Sequence, residues 1–439
     1  MEGSSGMKSP SPTRRSFLRT GLTGVFAVGV APRFVPSRVL GAHAPSRKIT
    51  LGFIGVGTHG HGVNLNSFLQ LDDCEVLAVC DVLAGRRTKA RQAVEEARGA
   101  GRCAEITDFR ELLARPDIDA VAISTPDHWH VPMAMMAIEA GKQVFCEKPT
   151  LTIAEGRELA TAVARRGMVF AVGLEDRAVI HYHKLAEVVR NGGIGKLRRI
   201  RVGLPIKPVF PRVEPVPVPA DLNYELWLGP APFRPYTPGL TDAQVWRQIR
   251  DFSGGSLTDW GAHLIDTAQV GNFAENSGPV TVTGHGEIPP DAINTVPRTY
   301  KLTYTYANGV TLEVESGETF IRFEGSAGWV GNKGWSGPLA ASDMNLFRRS
   351  YAPATNRIWP RPQREQRDFI DAIKTGRPPT YTAEALQRLS TVMHIGAIAM
   401  ELGRPLRWNP AAEAFNDPAA NALRQRQCRD DWKRLGRQT

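Results

Sequence analysis

The sequence predicts an α/β protein in which a doubly wound parallel sheet precedes a β-rich second domain. From Lys48 to Gly173, short apolar runs alternate with helical segments, which is the pattern of βαβ units. After Gly173, apolar and polar residues alternate and the dipeptide Asn308-Gly309 indicates a tight turn, so we expect antiparallel strands there. The 439 residues are enough for two domains, and the 42% hydrophobic and 22% charged content is typical of a globular protein.

In the first domain the strands are apolar runs that end in glycine, acid or proline, and helices fill the intervals between them. The predicted strands are 48–57, 75–81, 119–126, 142–149 and 168–173. The predicted helices are 60–71, 83–97, 109–115, 131–141, 154–167 and 181–191. In the second domain we predict strands at 197–205, 280–288, 299–309 and 310–317 and helices at 363–376 and 383–403. A proline-rich loop interrupts these strands.

Residues 1–44 read as a targeting segment. Arg14 and Arg15 precede Phe17 and Leu18, an apolar run follows at 21–31, and residues 42–44 form a small-x-small cleavage signal. This order resembles the twin-arginine (Tat) translocation signal, whose substrates cross the membrane folded and typically with cofactors loaded. We therefore expect a periplasmic or otherwise exported protein with the Tat machinery as a partner, and leave open whether the signal is cleaved or retained.

Charge and cysteine content exclude several classes of protein. Half of the net charge of +10 lies in residues 1–44, and the remainder shows no basic block, so we expect no nucleic-acid partner. No apolar run reaches the roughly 20 residues of a membrane span. The five cysteines are odd in number and scattered, which argues against a disulfide framework. His59 and His61 have no evident third ligand, so no metal site is predicted.

A glycine-rich element predicts dinucleotide binding. Gly55, Gly57 and Gly60 form a G-x-G-x-x-G between a predicted strand and a helix, and Asp81 follows 21 residues later at the end of the second strand. The glycines permit the turn, the approach to the pyrophosphate and close packing, and the helix N-terminus favours phosphate. Asp81 favours NAD over NADP, although Arg86 and Arg87 lie close enough in sequence to admit a 2′-phosphate. A Rossmann-like domain without cofactor is the alternative.

With these motifs the chain resembles the Gfo/Idh/MocA family of oxidoreductases, named after glucose–fructose oxidoreductase and inositol dehydrogenase. The likeness runs from about Ile49 to Trp432 and includes STPDHWH at 124–130, GKQVFCEKP at 141–149 and SGGSLTDWGAHLIDTA at 253–268. It implies an N-terminal Rossmann domain, a C-terminal domain with a large, mostly antiparallel open sheet, and hydride transfer at a sugar or cyclitol carbon. We place the Rossmann domain at 45–173 and the substrate and oligomerisation domain at 174–439, and expect a homo-oligomer, a dimer or tetramer.

The candidate catalytic residues are Lys148, His263 and Asp259. Lys148 ends a strand at the carboxyl edge of the parallel sheet, where it can bind a substrate oxygen, and adjacent Glu147 is a candidate to orient it. Asp259 and His263 are four residues apart and Asp266 is three further, so one helix would present all three on one face, with a carboxylate supporting the imidazole. A buried polar helix face with a satisfied histidine is the alternative.

The resemblance also implies that Thr125 and Pro126 lie beside the nicotinamide, and His130 is expected to begin the next helix. The complete set of predicted cofactor-binding residues is Gly55, Gly57, Thr58, His59, Gly60, Asp81, Arg86, Thr125, Pro126, His130, Glu147 and Lys148. Many relatives place Gln and basic residues after the sixth strand, whereas this chain has Glu175-Asp176-Arg177. The aromatic-rich segment 223–236 offers either sugar stacking or core packing, and His181, Tyr182 and His183 receive no role.

Export and NAD together restrict the chemistry, because no pool of free NAD exists outside the cytoplasm. We therefore expect oxidation of a small carbohydrate by a tightly bound, internally recycled cofactor. A redox-neutral alternative oxidises a sugar hydroxyl, eliminates the glycosidic group and returns the hydride. A cytoplasmic-type dehydrogenase with a non-functional signal and a non-catalytic sugar-binding protein are the remaining alternatives.

Overall fold

The computed structural model describes residues 48–429 and 432, which lie within one unit of the chain, Ala42–Thr439. The predicted export signal at 1–44 lies outside the described residues. We find no helix in the described part of the chain with the length and apolar character of a membrane span.

Six parallel strands build the first sheet, in the spatial order β3-β2-β1-β4-β5-β6. The strands are β1 Ile49–Ile54, β2 Cys74–Cys80, β3 Ala104–Ile106, β4 Ala120–Ile123, β5 Gln143–Glu147 and β6 Phe170–Gly173. A π-helical turn Gly60–Leu65 leads into helix α1 Asn66–Leu69, followed by α2 Ala84–Arg98, α3 Phe109–Ala114, α4 Asp127–Glu139 and α5 Ile153–Arg166. This order is the doubly wound Rossmann arrangement that the sequence predicts, and it brings the strands' carboxyl ends to one edge.

Helix α4 begins at Asp127, earlier than the predicted start at residue 131. Pro126 has an extended conformation that suits the residue before a helix, and the Trp129 N–H already donates to its carbonyl at 3.0 Å. His130 therefore lies inside the helix rather than at its start. The difference matters because it turns the His130 ring toward the sheet edge.

Nine strands form the second sheet, in the order β13-β12-β11-β7-β10-β9-β8-β14-β15. They are β7 Leu197–Pro205, β8 Thr281–Glu287, β9 Thr299–Thr305, β10 Thr311–Gly317, β11 Phe320–Gly325, β12 Trp329–Lys333, β13 Leu339–Ala341, β14 Leu406–Asn409 and β15 Ala414–Phe415. Only β7 and β10 pair in parallel, so the sheet is mostly antiparallel as expected. Gly309 adopts φ +83° in the turn between β9 and β10, which explains the Asn-Gly signal.

The remaining helices connect the two sheets. They are α6 Ile180–Arg190, α7 Tyr224–Leu228, α8 Ala243–Trp246, α9 Ser256–Asp259, α10 Gly261–Gly271, α11 Glu365–Thr375, α12 Ala383–Leu402 and α13 Pro418–Ala422, with 3₁₀ turns at Glu175–Arg177 and Met344–Arg348. Helix α11 places Phe369 against Phe68 and Phe145 of the first domain, with ring centroids 6.3 and 5.8 Å apart. The chain thus returns late to the Rossmann core, and helix α11 packs its aromatic ring into that core.

Within the segment 223–236, Tyr224 and Trp227 pack in a small core, whereas Phe233 is exposed. Tyr224 and Trp227 are buried, stack at 5.8 Å, and lie against Phe252 and the first helix turn of α4. Of the two readings that the sequence left open, core packing fits these rings. Cys74, Cys80, Cys103 and Cys146 are buried and form no disulfide with one another.

Candidate functional site

A cavity of about 670 Å³ lies where the carboxyl edge of the first sheet meets helices α8 to α10. Every predicted catalytic and cofactor-binding residue lines it except Gly60. Residues that are far apart in the chain therefore meet at one site, and they come from both domains. Such a concave site, with convergent polar groups, is suited to bind a small molecule.

The three glycines differ in the space that surrounds them. Gly55 has φ +83°, and a Cβ there would lie 2.7 Å from the Ser124 backbone. At Gly60 a Cβ would lie 2.1 Å from the Gly55 carbonyl oxygen, so this glycine allows the helix to pack behind the loop. At Gly57 the nearest atom would be Nη1 of Arg86, at 3.3 Å on the cavity side. These positions match the turn, packing and ligand-approach roles expected of the motif.

Asp81 and its neighbouring arginines form the wall expected beside the adenosine ribose. The Asp81 carboxylate accepts the N–H groups of Val56 at 2.9 Å and Leu83 at 3.0 Å, so it also fixes the glycine-rich loop. Burial raises the pKa of Asp81, and the nearby Arg86 and those two hydrogen bonds oppose this effect. Arg87 turns away and donates to the Asp81 carbonyl at 2.7 Å, whereas Arg86 lines the cavity. Arg86 is therefore the arginine at the cofactor edge.

Thr125 and His130 define the next part of the wall. The Thr125 hydroxyl is buried and has no hydrogen-bond partner among the residues that the structure describes, although it lines the cavity. His130 places its two ring nitrogens 2.8 Å from the Pro149 carbonyl and 2.9 Å from the Thr125 carbonyl. His130 thus holds the two strand ends together, and the Thr125 hydroxyl is left for a bound molecule. An unpartnered donor at this position fits the carboxamide of a nicotinamide.

Glu147 does not make the predicted hydrogen bond to orient Lys148. Its Oε1 instead lies 3.1 Å from Nε2 of His59 and accepts from Nδ2 of Asn64 at 2.8 Å. Successive side chains of a strand point to opposite faces, so Glu147 and Lys148 diverge. Burial would raise the pKa of Glu147, but His59 and Asn64 lower it to about 2, and the Glu147 charge raises the pKa of His59. Glu147 therefore anchors the glycine-rich loop.

Lys148 is held by Asp259 of the second domain. Its Nζ donates to the Asp259 carbonyl oxygen at 2.9 Å and to Oδ1 at 3.1 Å. Arg247 and Lys207 also approach the carboxylate, at 3.4 and 3.8 Å. Burial lowers the pKa of Lys148, and the charges of Asp259 and Glu147 more than offset this, so the net shift is upward. Burial raises the pKa of Asp259, but Lys148 and Arg247 lower it strongly. Lys148 is thus a protonated donor at the cavity wall.

The carboxylate that supports His263 is Asp176, which corrects the predicted pairing with Asp259. Nδ1 of His263 lies 2.7 Å from Oδ2 of Asp176, whose side chain is fully buried. Burial lowers the pKa of His263, and the Asp176 charge and hydrogen bond outweigh it, so the pKa is raised. The helix is interrupted at Trp260, between α9 and α10, and three cations attract the Asp259 carboxylate. The i,i+4 spacing therefore does not produce the pair.

Asp266 is also committed elsewhere, since it forms a buried ion pair with Arg177 at 2.8 Å. The three residues predicted to share one helix face therefore each bind a different partner: Asp259 binds Lys148, His263 binds Asp176 and Asp266 binds Arg177. Glu175 does line the cavity, so the acids that follow β6 belong to the site. Glu175, Asp176 and His263 bring one ligand atom each within 4.8 Å of one another, a spacing that a cation can use. The short His263–Asp176 hydrogen bond accounts for this cluster, and the absence of a metal stays a prediction.

Sequence reasoning gave no role to the cavity residues Arg247, Trp260 and Trp335 or to Lys207, which lies next to Asp259. All four lie close to Lys148, Asp259 or His263. Trp260 stood inside a quoted motif, but its spacing gave no signal for a cavity wall. The other three lie in segments without a motif, and only the fold brings them to the site.

Two family models match the chain. One, described as "Oxidoreductase family, NAD-binding Rossmann fold", covers residues 49–174, and the other, "Oxidoreductase family, C-terminal alpha/beta domain", covers residues 210–434. Both belong to Gfo/Idh/MocA. The first model spans the six-stranded sheet, and the second spans the nine-stranded sheet except for β7.

Curated relatives and solved structures agree with this family. The uncharacterized oxidoreductase YrbE of Bacillus subtilis is 27% identical over 239 residues, 54% of this chain and 67% of YrbE. A glycosyl hydrolase family 109 protein of Shewanella pealeana is 37% identical over 161 residues, 32% of this chain and only 35% of that relative. The aldose–aldose oxidoreductase of Caulobacter crescentus, solved with glycerol, is 19% identical with a TM-score of 0.59, covering 82% of this chain and all 100% of that one.

At that identity the structural likeness concerns the fold. The two family models together, with the glycine-rich loop and the Lys148 and His263 positions in one cavity, support a single assignment. The chain belongs to the Gfo/Idh/MocA oxidoreductase family and carries its NAD-binding Rossmann domain.

Proposed function

We propose that this protein is an NAD-dependent oxidoreductase that acts on a CH–OH group of a sugar, sugar derivative or cyclitol. The observation that carries the proposal is the meeting of Lys148 and His263 in one cavity, each held by its own carboxylate. Lys148 comes from the NAD-binding domain and His263 from the second domain, so the substrate has to bind between them. A protein that only binds sugar does not need both Lys148 and His263, each held in place by a carboxylate.

The residues divide the proton chemistry between them. NAD, when bound, supplies a hydride acceptor for the carbon that is oxidised. Lys148 is protonated and donates a hydrogen bond to the substrate oxygen, which stabilises negative charge as it develops there. Asp176 accepts the Nδ1 proton of His263, so Nε2 is the nitrogen that takes the hydroxyl proton. The raised pKa of His263 then allows it to hold that proton while the carbonyl forms.

Export and cofactor retention complete the proposal. The segment 1–44 directs the folded protein through the Tat machinery, and the protein works as a dimer or tetramer with its cofactor retained. A second substrate then accepts the hydride that the first substrate gave. The name of the aldose–aldose neighbour, which pairs two sugars, is consistent with this scheme.

A redox-neutral glycoside cleavage is the second candidate. The family 109 glycosyl hydrolase relative and the His263–Asp176 pair favour it. In that reaction the ketone made by the first oxidation acidifies the neighbouring C–H, and a base removes that proton. The glycosidic C–O bond then breaks, its electron pair passes to the leaving oxygen, and that oxygen takes up a proton. Water adds to the resulting double bond before the hydride returns to the ketone.

The test begins with the purified mature protein, without added NAD. Acid denaturation followed by an enzymatic assay of the supernatant should release nicotinamide dinucleotide in near-stoichiometric amount. Sugars, cyclitols and glycosides are then supplied in heavy water and the products are analysed by NMR. Deuterium beside the oxidised carbon indicates elimination, whereas its absence indicates paired hydride transfer. An apo preparation with only weak NAD affinity would contradict the closed cycle, and no turnover of any class would contradict the proposal.

A further inference from the structure

We propose that Trp335 forms a binding subsite for the aglycone of a glycoside, next to the sugar ring that is oxidised. The inference rests on the proposed function and adds a substrate class, a glycoside that carries a second ring. Trp335 lines the cavity and yet its side chain is 41% exposed, so it lies at the cavity mouth. Its ring meets the His263 ring edge-on, with centroids 6.1 Å apart.

The position of His263 defines what can reach Trp335. The carbon that is oxidised has to lie within reach of both Lys148 and His263, because they share its oxygen. Trp260 lies against His263 as well, with ring centroids 6.1 Å apart, so both indoles border the imidazole. Trp260 is partly buried and covered by Lys207 at 5.0 Å, which leaves the Trp335 ring as the open apolar surface. A substituent that projects outward from the reacting ring would lie on that surface.

The turn that carries Trp335 is fixed rather than loose. Gly334 and Ser336 on either side both have positive φ, +78° and +52°. The Ser336 N–H donates to the Tyr182 hydroxyl at 2.9 Å, and the Ser336 carbonyl lies 2.9 Å from Nδ1 of His181. Positive φ at a serine is unfavourable and persists only where its surroundings impose it. His181 and Tyr182, which had no role in the sequence, thus hold an exposed tryptophan in place.

The chemistry of this surface suits a second ring. An indole presents a flat apolar face with a polar N–H edge, which matches a phenyl aglycone or the C–H face of a pyranose. The groups around the reacting carbon, by contrast, are charged: Lys148, Asp259 and Glu175 line the same cavity. Hydroxyl groups of the reacting ring are therefore bound by charged residues, and the aglycone is bound by stacking. A free monosaccharide would use the first set of contacts alone.

The experiment compares Trp335→Ala with wild type on matched pairs of methyl and p-nitrophenyl glycosides of glucose, galactose, mannose and N-acetylglucosamine. We expect KM for the accepted p-nitrophenyl glycoside to rise about tenfold or more, while kcat stays near wild type. KM for the matching methyl glycoside should change less than about twofold. Trp335→Phe keeps a flat ring and should restore most of the loss. Phe233→Ala, at a 69% exposed residue outside the cavity, is the matched control and should change neither substrate.

Tyr182→Phe tests the positioning role of the turn. It removes the hydroxyl that receives the Ser336 N–H and should raise KM selectively for the p-nitrophenyl glycoside, by less than Trp335→Ala. Equal losses on both glycosides, or no loss on either, would overturn the subsite. Turnover of the same glycosides by wild type would leave the proposed function intact. If wild type oxidises free sugars but none of the glycosides, the subsite is refuted alone. If wild type turns over none of the sugars, cyclitols and glycosides of the earlier test, the proposed function fails as well.

Discussion

The hydrogen bond between His263 and Asp176 makes a specific prediction for Asp176→Asn. A buried hydrogen bond to a charged group is worth about 1.5–3 kcal/mol, and this one joins Nδ1 and Oδ2 at 2.7 Å. If that energy supports the protonated imidazole in the transition state, its loss slows turnover roughly 10- to 150-fold. The Asp176 charge raises the pKa of His263, so the variant should have a lower His263 pKa. Deprotonated His263 would then be present at lower pH.

The assay is the pH dependence of the second-order rate constant for single-turnover reduction of protein-bound NAD at low sugar concentration, followed by NADH fluorescence. The rising acidic limb reports deprotonation of the base, and we expect this limb to move to lower pH in Asp176→Asn while the plateau falls. Asp259→Asn is the comparison variant, because it removes the partner of Lys148 and should move that limb less than Asp176→Asn does. If the acidic limb stays in place in Asp176→Asn and moves in Asp259→Asn, Asp176 is not the carboxylate that supports His263. That result would favour the pairing of His263 with Asp259 that the sequence predicts.

Three further predictions follow from the site and its supports. Lys148→Met should retain bound NAD but lose more than about 100-fold in turnover, because the substrate oxygen loses its cationic donor. Retained nicotinamide is measured after denaturation, and near wild-type turnover would contradict the role. Asp81→Ala should weaken NADH binding and reduce discrimination against NADPH in fluorescence titrations; a wild type that already prefers NADPH would contradict the role of Asp81. Arg177→Met should destabilise the fold by about 3–5 kcal/mol in urea titrations, because Asp266 would remain buried and unpaired. Arg177→Met with Asp266→Leu should recover part of that loss, and equal destabilisation in both variants would argue against the ion pair.

The sequence predicted those features of the fold that depend on local sequence patterns. Alternating apolar runs and helices specify a parallel sheet, and the carboxyl ends of its strands then meet at one edge. That rule placed Lys148 at the ligand-binding edge, the glycine-rich motif added Gly55 and Asp81, and the family resemblance added Thr125. The mostly antiparallel second sheet, in contrast, came from alternation and from the family resemblance, and strands β11 to β15 were not predicted.

The sequence could not predict which carboxylate pairs with His263, because the pairing depends on competition among groups that are distant in the chain. The spacing of Asp259 and His263 suggests neighbours on a helix, but three cations from other elements attract Asp259. Asp176 reaches His263 only because the turn after β6 packs against α10. The departure at Glu175-Asp176 was noted as a change in the substrate region, and in the structure it supplies the missing partner. Trp335 gave no signal, since no motif surrounds it.

The most direct test of the central claim is single-turnover oxidation by His263→Ala with its NAD retained. The variant and wild type are purified with bound cofactor, equal NAD content is verified after denaturation, and NADH formation is followed in a stopped-flow fluorimeter. The predicted result is unchanged cofactor content and a rate about 100- to 10,000-fold lower than wild type, as expected for loss of a general base. Hydride transfer at a near wild-type rate on the same substrate would contradict the claim that His263 takes the hydroxyl proton.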